Sequence, residues 1–71
     1  MNFTYEKLYA EYSQAIINQE NIIKRKKEAL KKARASSNYK EIKRLNSLLL
    51  VLATEKSELE ERARGLRELI S

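Results

Sequence analysis

The sequence predicts an all-α fold: a two-helix antiparallel hairpin, coiled-coil-like, that dimerises into a four-helix bundle. Three observations carry this expectation. Among the 71 residues Glu, Leu, Lys, Ala and Arg dominate, Pro is absent and Gly65 is the only glycine, a profile that favours long helices over strands. Apolar residues recur at steps of three and four in both halves of the chain, the period of one helical face. The two apolar stripes are out of phase, so a break must lie between them.

The first helix is expected over about residues 3–34. Its apolar face runs Tyr5, Leu8, Tyr9, Tyr12, Ala15, Ile16, Ile22, Ile23, Ala29, Leu30 and Ala33. Asn2 stands where an N-cap is needed. Lys31, Lys32 and Arg34 fall in the last turns, where cations complement the helix dipole. Continuing the Ile16, Gln19, Ile23, Lys26, Leu30, Ala33 stripe at the same spacing lands on Ser37, Lys40, Arg44, Ser47, Val51, Thr54, Glu58 and Glu61. One straight helix would therefore bury charge in its second half.

The loop is expected over about residues 35–38. Asn38 can cap the next helix while Glu41, three residues on, reaches back to the cap amide in a capping box. The second helix then runs over about residues 39–70, with a seam at Ile42, Leu45, Leu49, Leu52, Lys56, Leu59, Ala63, Leu66 and Ile70. A loop this short makes the helices antiparallel neighbours. Residues 1–71 thus form a single hairpin, each arm about 48 Å long from a rise of 1.5 Å per residue. Folding about the loop sets Tyr9 and Tyr12 near Ala63. Four Glu-to-cation pairs stand at i, i+4 in the favourable order: Glu20 with Lys24, Glu28 with Lys32, Glu58 with Arg62 and Glu60 with Arg64. Gly65 falls at an outer position of the second helix, where it costs about 1 kcal/mol relative to Ala.

One hairpin does not cover all of this apolar surface. Leu48, Leu49, Leu50, Val51 and Leu52 are apolar on every side of the helix, whereas a lone partner helix covers one stripe about 100° wide. Ile17 and Ile22 widen the first helix beyond two-strand needs. A second copy is the expected cover, giving a two-fold bundle; the expected oligomer interface is Ile17, Ile22, Leu48, Leu49, Leu52, Leu59 and Leu66. A different protein partner is the other source of cover. Gln19, Lys26 and Lys56 interrupt the seams and are read as setting register and partner choice.

The missing residues narrow the chemistry. All ten acids are Glu, and Asp, His, Cys and Trp are absent, which removes imidazole bases, thiolate nucleophiles, zinc sites and disulfides. No enzyme activity, no metal and no cofactor is expected. The longest apolar stretch, 48–53, is far short of the roughly 20 residues that span a bilayer, so no membrane role is expected. The start MNFTYEKLYAEY lacks the apolar core of a signal peptide, and the expected location is cytoplasmic.

Charge is unevenly placed. Residues 24–44 hold ten Lys/Arg and two Glu, net +8, while residues 1–23 are net −2 and residues 45–71 net −1. Folding gathers the +8 at the loop end. The first functional expectation is a small non-enzymatic structural, interaction or regulatory accessory protein that self-associates through its helical seams. The alternative is a nucleic-acid binding module, RNA or DNA, with Lys24, Arg25, Lys27, Lys31, Lys32, Arg34, Lys40, Lys43 and Arg44 as phosphate contacts. Aromatic interleaving is sparse, with Tyr39 alone at the tip. No family motif can be matched residue by residue.

Overall fold

Residues 4–70 are described by the structure, a computed structural model. Two helices account for nearly all of them: α1, Tyr5–Ala35, and α2, Tyr39–Ile70. The α1 cap is Thr4 and not the expected Asn2, which lies outside the described residues. Thr4 has extended backbone angles (φ −123°, ψ 151°), and its Oγ1 accepts the Lys7 N–H at 3.1 Å. That bond satisfies one of the four donors a helix start leaves unpaired.

The break at 36–38 is a Schellman turn. The Asn38 N–H donates to the Ala33 carbonyl at 2.9 Å and the Ser37 N–H to the Arg34 carbonyl at 3.1 Å. Ser37 occupies the left-handed region with φ 54°, the position glycine usually fills. Asn38 then starts α2: its Oδ1 accepts the Glu41 N–H at 3.3 Å. The expected reciprocal half of the capping box does not form. The Asn38 amide is already committed to Ala33, and the Glu41 carboxylate turns instead to the Arg44 guanidinium.

Both helices pack antiparallel over their whole length. Leu30, Ala33 and Leu45 form the buried cluster nearest the turn, with Ala29, Ile42 and Leu49 against it. Among the described residues Leu45 is the one large side chain that is almost fully covered, at 1% exposure. Toward the open end Ala63 is buried, with Tyr9 and Ile16 beside it. Here a small residue faces larger ones, which lets the helices approach closely. Tyr12 lies on the other flank of Ala63, lining a groove with Leu66.

Midway along the hairpin the seam turns polar. The Gln19 side-chain amide donates across to the Leu52 carbonyl at 3.2 Å. One turn further on, Lys56 lies 3.8 Å from the Glu20 carboxylate and 3.7 Å from that of Glu60. None of the four expected i, i+4 pairs forms within 4 Å; Glu20 and Glu60 are both drawn to Lys56. Exposed i, i+4 pairs contribute only about 0.3–0.5 kcal/mol. A lysine whose side chain is only 29% exposed has more to gain from counter-charge than the solvated cations do.

The result is a rod of 52 × 19 × 15 Å. Its radius of gyration is 16.2 Å, against about 11 Å for a compact 71-residue domain. Replacing Ser37 by Gly should relieve the left-handed conformation without disturbing the two turn hydrogen bonds. Ser37→Gly is therefore expected to raise stability by about 0.5–1 kcal/mol, read as a higher Tm in a far-UV circular dichroism melt at fixed protein concentration.

Candidate functional site

Two antiparallel helices leave two flanks on either side of their common seam, and this sequence makes them unlike. On one flank α1 presents Leu8, Ala15, Ile22 and Ala29, seven residues apart and each half-buried. Beside them α2 presents Leu45, Leu52, Leu59 and Leu66, again seven apart, the first buried and the others half-buried. Leu48, Val51 and Leu69 extend the same side of α2 outward; Val51 is 54% and Leu69 62% exposed. The two stripes adjoin in an open groove of about 430 Å3 lined by Leu8, Tyr12, Arg62, Gly65, Leu66 and Leu69. A Cβ built on Gly65 would meet nothing within 4 Å.

Across the seam lies the polar flank. Lys27, Ala53, Lys56, Ser57 and Glu60 share a groove there with Ile23 and Leu49. Arg64 and Arg67 continue that side toward the open end.

Five of the seven expected interface residues come together on the apolar flank: Ile22, Leu48, Leu52, Leu59 and Leu66. Two do not. Leu49 packs on the Leu30, Ala33, Leu45 cluster and borders the polar flank. Ile17 is 51% exposed, and five residues, or about 140° of helix, separate it from Ile22. Leu50, 71% exposed, likewise points away from both α1 and the apolar flank. Leu8, Ala15 and Ala29 belong to the flank without having been singled out as interface residues, although their seven-residue recurrence is written in the sequence.

The nine expected phosphate contacts are all exposed, yet they are not one patch. Lys24, Lys27 and Lys31 line a second open groove, of about 540 Å3, together with Ile23, Glu20, Glu28 and Lys56. Arg34, one turn beyond Lys31, extends this row toward the tip. Arg25 and Lys32 lie round the back of α1, where the Arg25 Nε–H donates to the Asn21 carbonyl at 3.4 Å. Lys40 and Lys43 stand on the outer side of α2. Arg44 is engaged by Glu41 through two hydrogen bonds, one of them 3.0 Å from Nε to Oε2.

No family model, curated protein or solved structure matches this chain. No helix is long and apolar enough to cross a membrane, and no group of three or more His, Cys, Asp or Glu is placed to hold a metal ion, both among the described residues.

The Arg44 hydrogen bond holds the Glu41 carboxyl below its ordinary value of 4.5, with the charges of Arg44 and Lys26 acting in the same direction. A carboxyl lowered in the folded state stabilises it above the unfolded pKa, and that contribution is lost as pH falls through the lowered value. Glu41→Gln is accordingly expected to lower Tm at pH 7 and to melt with the parent chain at pH 2, compared in parallel thermal melts.

Proposed function

We propose that this hairpin is a non-enzymatic interaction module that self-associates through its apolar flank, two copies forming a four-helix bundle. The observation that carries the reading is the third apolar stripe. A helical hairpin needs one stripe per helix, yet Leu8, Ala15 and Ile22 lie beside the α1 seam and remain only half-buried, with Ala29 continuing the stripe to the edge of the buried cluster. On α2, Leu48 is half-buried while Val51 and Leu69 are exposed. A face this wide is what a helix in a four-helix core presents, where each helix has two neighbours instead of one.

Surface area supports the same reading. The chain exposes 5815 Å2, whereas a compact folded monomer of 8.3 kDa exposes about 4,600 Å2. The excess, about 1,200 Å2, is more than the roughly 800 Å2 per partner that a stable protein–protein interface buries. Among the described residues Leu30, Ala33, Leu45 and Ala63 are the ones buried within the hairpin, a small core for a chain without disulfides.

Register in such a bundle would come from the polar layer. Gln19 and Lys56 already fix how α1 meets α2, and a polar layer inside an apolar seam favours one alignment over slipped ones. The cytoplasm is the proposed location; the absence of any cysteine suits a reducing compartment.

Leu48→Lys with Val51→Lys tests the reading, with Leu50→Lys as control. The double variant is expected to sediment as a monomer at concentrations where the parent chain is a dimer, and its melting temperature should no longer rise with protein concentration. Leu50→Lys, on the far side of α2, should leave the dimer intact. A parent chain that sediments as a monomer up to about 1 mM, where the association free energy would be only about −4 kcal/mol, would overturn the proposal.

A further inference from the structure

We infer that the row Lys24, Lys27, Lys31 and Arg34 on α1 is a binding site for the phosphodiester backbone of double-stranded nucleic acid. This inference does not rest on self-association. The four side chains recur at i, i+3, i+7 and i+10, so they stand along one side of α1 over about 15 Å. All are exposed and none has a carboxylate within 4 Å. Of the two acids beside them, Glu20 is paired with Lys56 at 3.8 Å, and Glu28, which lines the same groove, forms no ion pair with any cation of the row within 4 Å.

Neighbouring cations in this row repel one another, because side chains three or four residues apart on a helix lie about 5–6 Å apart at Cβ, inside the Debye length of about 8–10 Å at physiological salt. A row of phosphates removes that repulsion and releases its own condensed counterions, the main source of sequence-independent affinity. The shape of the site selects the ligand class. The row stands on a convex helix with an open groove beside it, so a single phosphate or nucleotide would be left largely in water. An extended array of phosphates can touch several of the cations at once.

Duplex is favoured over single strands because single-strand binding gains about 1–3 kcal/mol per base from stacking on aromatic rings, and the row contains no aromatic residue. Tyr39, 78% exposed, is the nearest, and it lies on the other helix. A membrane surface is disfavoured because insertion needs an apolar face beneath the cations. Ile23 is the one apolar side chain lining this groove. The apolar flank lies across the seam, so a second copy packed there leaves the row open.

The test is fluorescence anisotropy of labelled 20-base-pair DNA and RNA duplexes titrated with the full chain from 25 to 300 mM NaCl. Parallel arms use a 20-nucleotide single strand and vesicles of phosphatidylcholine and phosphatidylserine at 7:3. Both duplexes should bind, with a slope of log K on log salt near −3, as about 0.9 per phosphate contact implies for three to four contacts. The Lys27→Gln, Lys31→Gln double variant should lose at least about tenfold in affinity at 50 mM NaCl and about two units of slope. The Lys7→Gln, Arg64→Gln double variant removes the same charge from the open end and should change affinity less than about twofold. Circular dichroism verifies that each variant keeps its helicity. The inference is overturned by absence of duplex binding at 25 mM NaCl, by equal weakening in the two double variants, or by vesicles or single strand binding more tightly than duplex.

Discussion

Every contact in this hairpin depends on the turn at Ser36 to Asn38. The two Schellman bonds close α1 and the Asn38 side chain opens α2 within three residues, so the axial offset between the helices is fixed at one end. Residues at matching distances from the turn then meet without further choice: Leu30 with Leu45 in the buried cluster, Gln19 with the Leu52 carbonyl, Glu20 with Lys56, and Tyr9 with Ala63. One residue of slippage would rotate each α2 side chain by about 100° relative to α1 and carry Leu45 out of its almost fully covered position. The left-handed Ser37 is a local strain on the order of 1 kcal/mol, outweighed by a register that the whole seam shares.

From that register the sidedness of the molecule follows. A seam between two helices uses roughly one stripe of each, and this seam also accommodates Gln19 and a half-buried Lys56. Ile17, Tyr39 and Leu50 are exposed elsewhere, while a run of apolar residues, large and small, is left over beside the seam. On α1 they fall at Leu8, Ala15, Ile22 and Ala29, and on α2 chiefly at Leu48, Val51 and Leu69, which the antiparallel packing brings to the same flank. The opposite flank collects Lys27, Ser57 and Glu60. Lys56, reaching from the seam to two carboxylates, holds the polar flank together at its centre.

Much of the fold was legible in the sequence because helical periodicity is a strong signal over 30 residues. The phase change between the two stripes located the break, and Asn38 was recognisable as a cap because its side chain acts on a neighbour three residues away. Less legible were choices between chemically equivalent options. Asn2 and Thr4 are both good caps, and which one serves depends on where α1 begins. Glu20 had Lys24 available at i+4 but turned to Lys56 across the seam, a preference set by partial desolvation that appears only once the helices are paired. The capping box failed on its second half because the turn had already claimed the Asn38 amide. The seven expected interface residues were drawn from the α2 seam, the all-round apolar run at 48–52 and a widened α1 face, and helical angle sets Ile17 and Leu49 apart from the other five. In the same way the basic segment divides by angle, and only part of it forms a continuous row.

Angle and distance also change the meaning of the net charge. A chain at +5 would ordinarily be described as mildly basic. The acids that offset the ten cations of residues 24–44 lie mostly at Glu55, Glu58, Glu60 and Glu61 and near the start of α1, well up a rod 52 Å long. Glu55 stands about 24 Å along α2 from its first residue, some three Debye lengths at physiological ionic strength. Across that distance the two ends are electrostatically almost independent. An approaching polyanion would meet the local +8 of the tip rather than the average, while the apolar flank, running the full length of the rod, presents its hydrophobic surface irrespective of salt. The exposed cations and the apolar surface are thus separated by geometry as well as by chemistry, the cations gathered toward the turn and one face of α1, the apolar surface extended along the opposite flank.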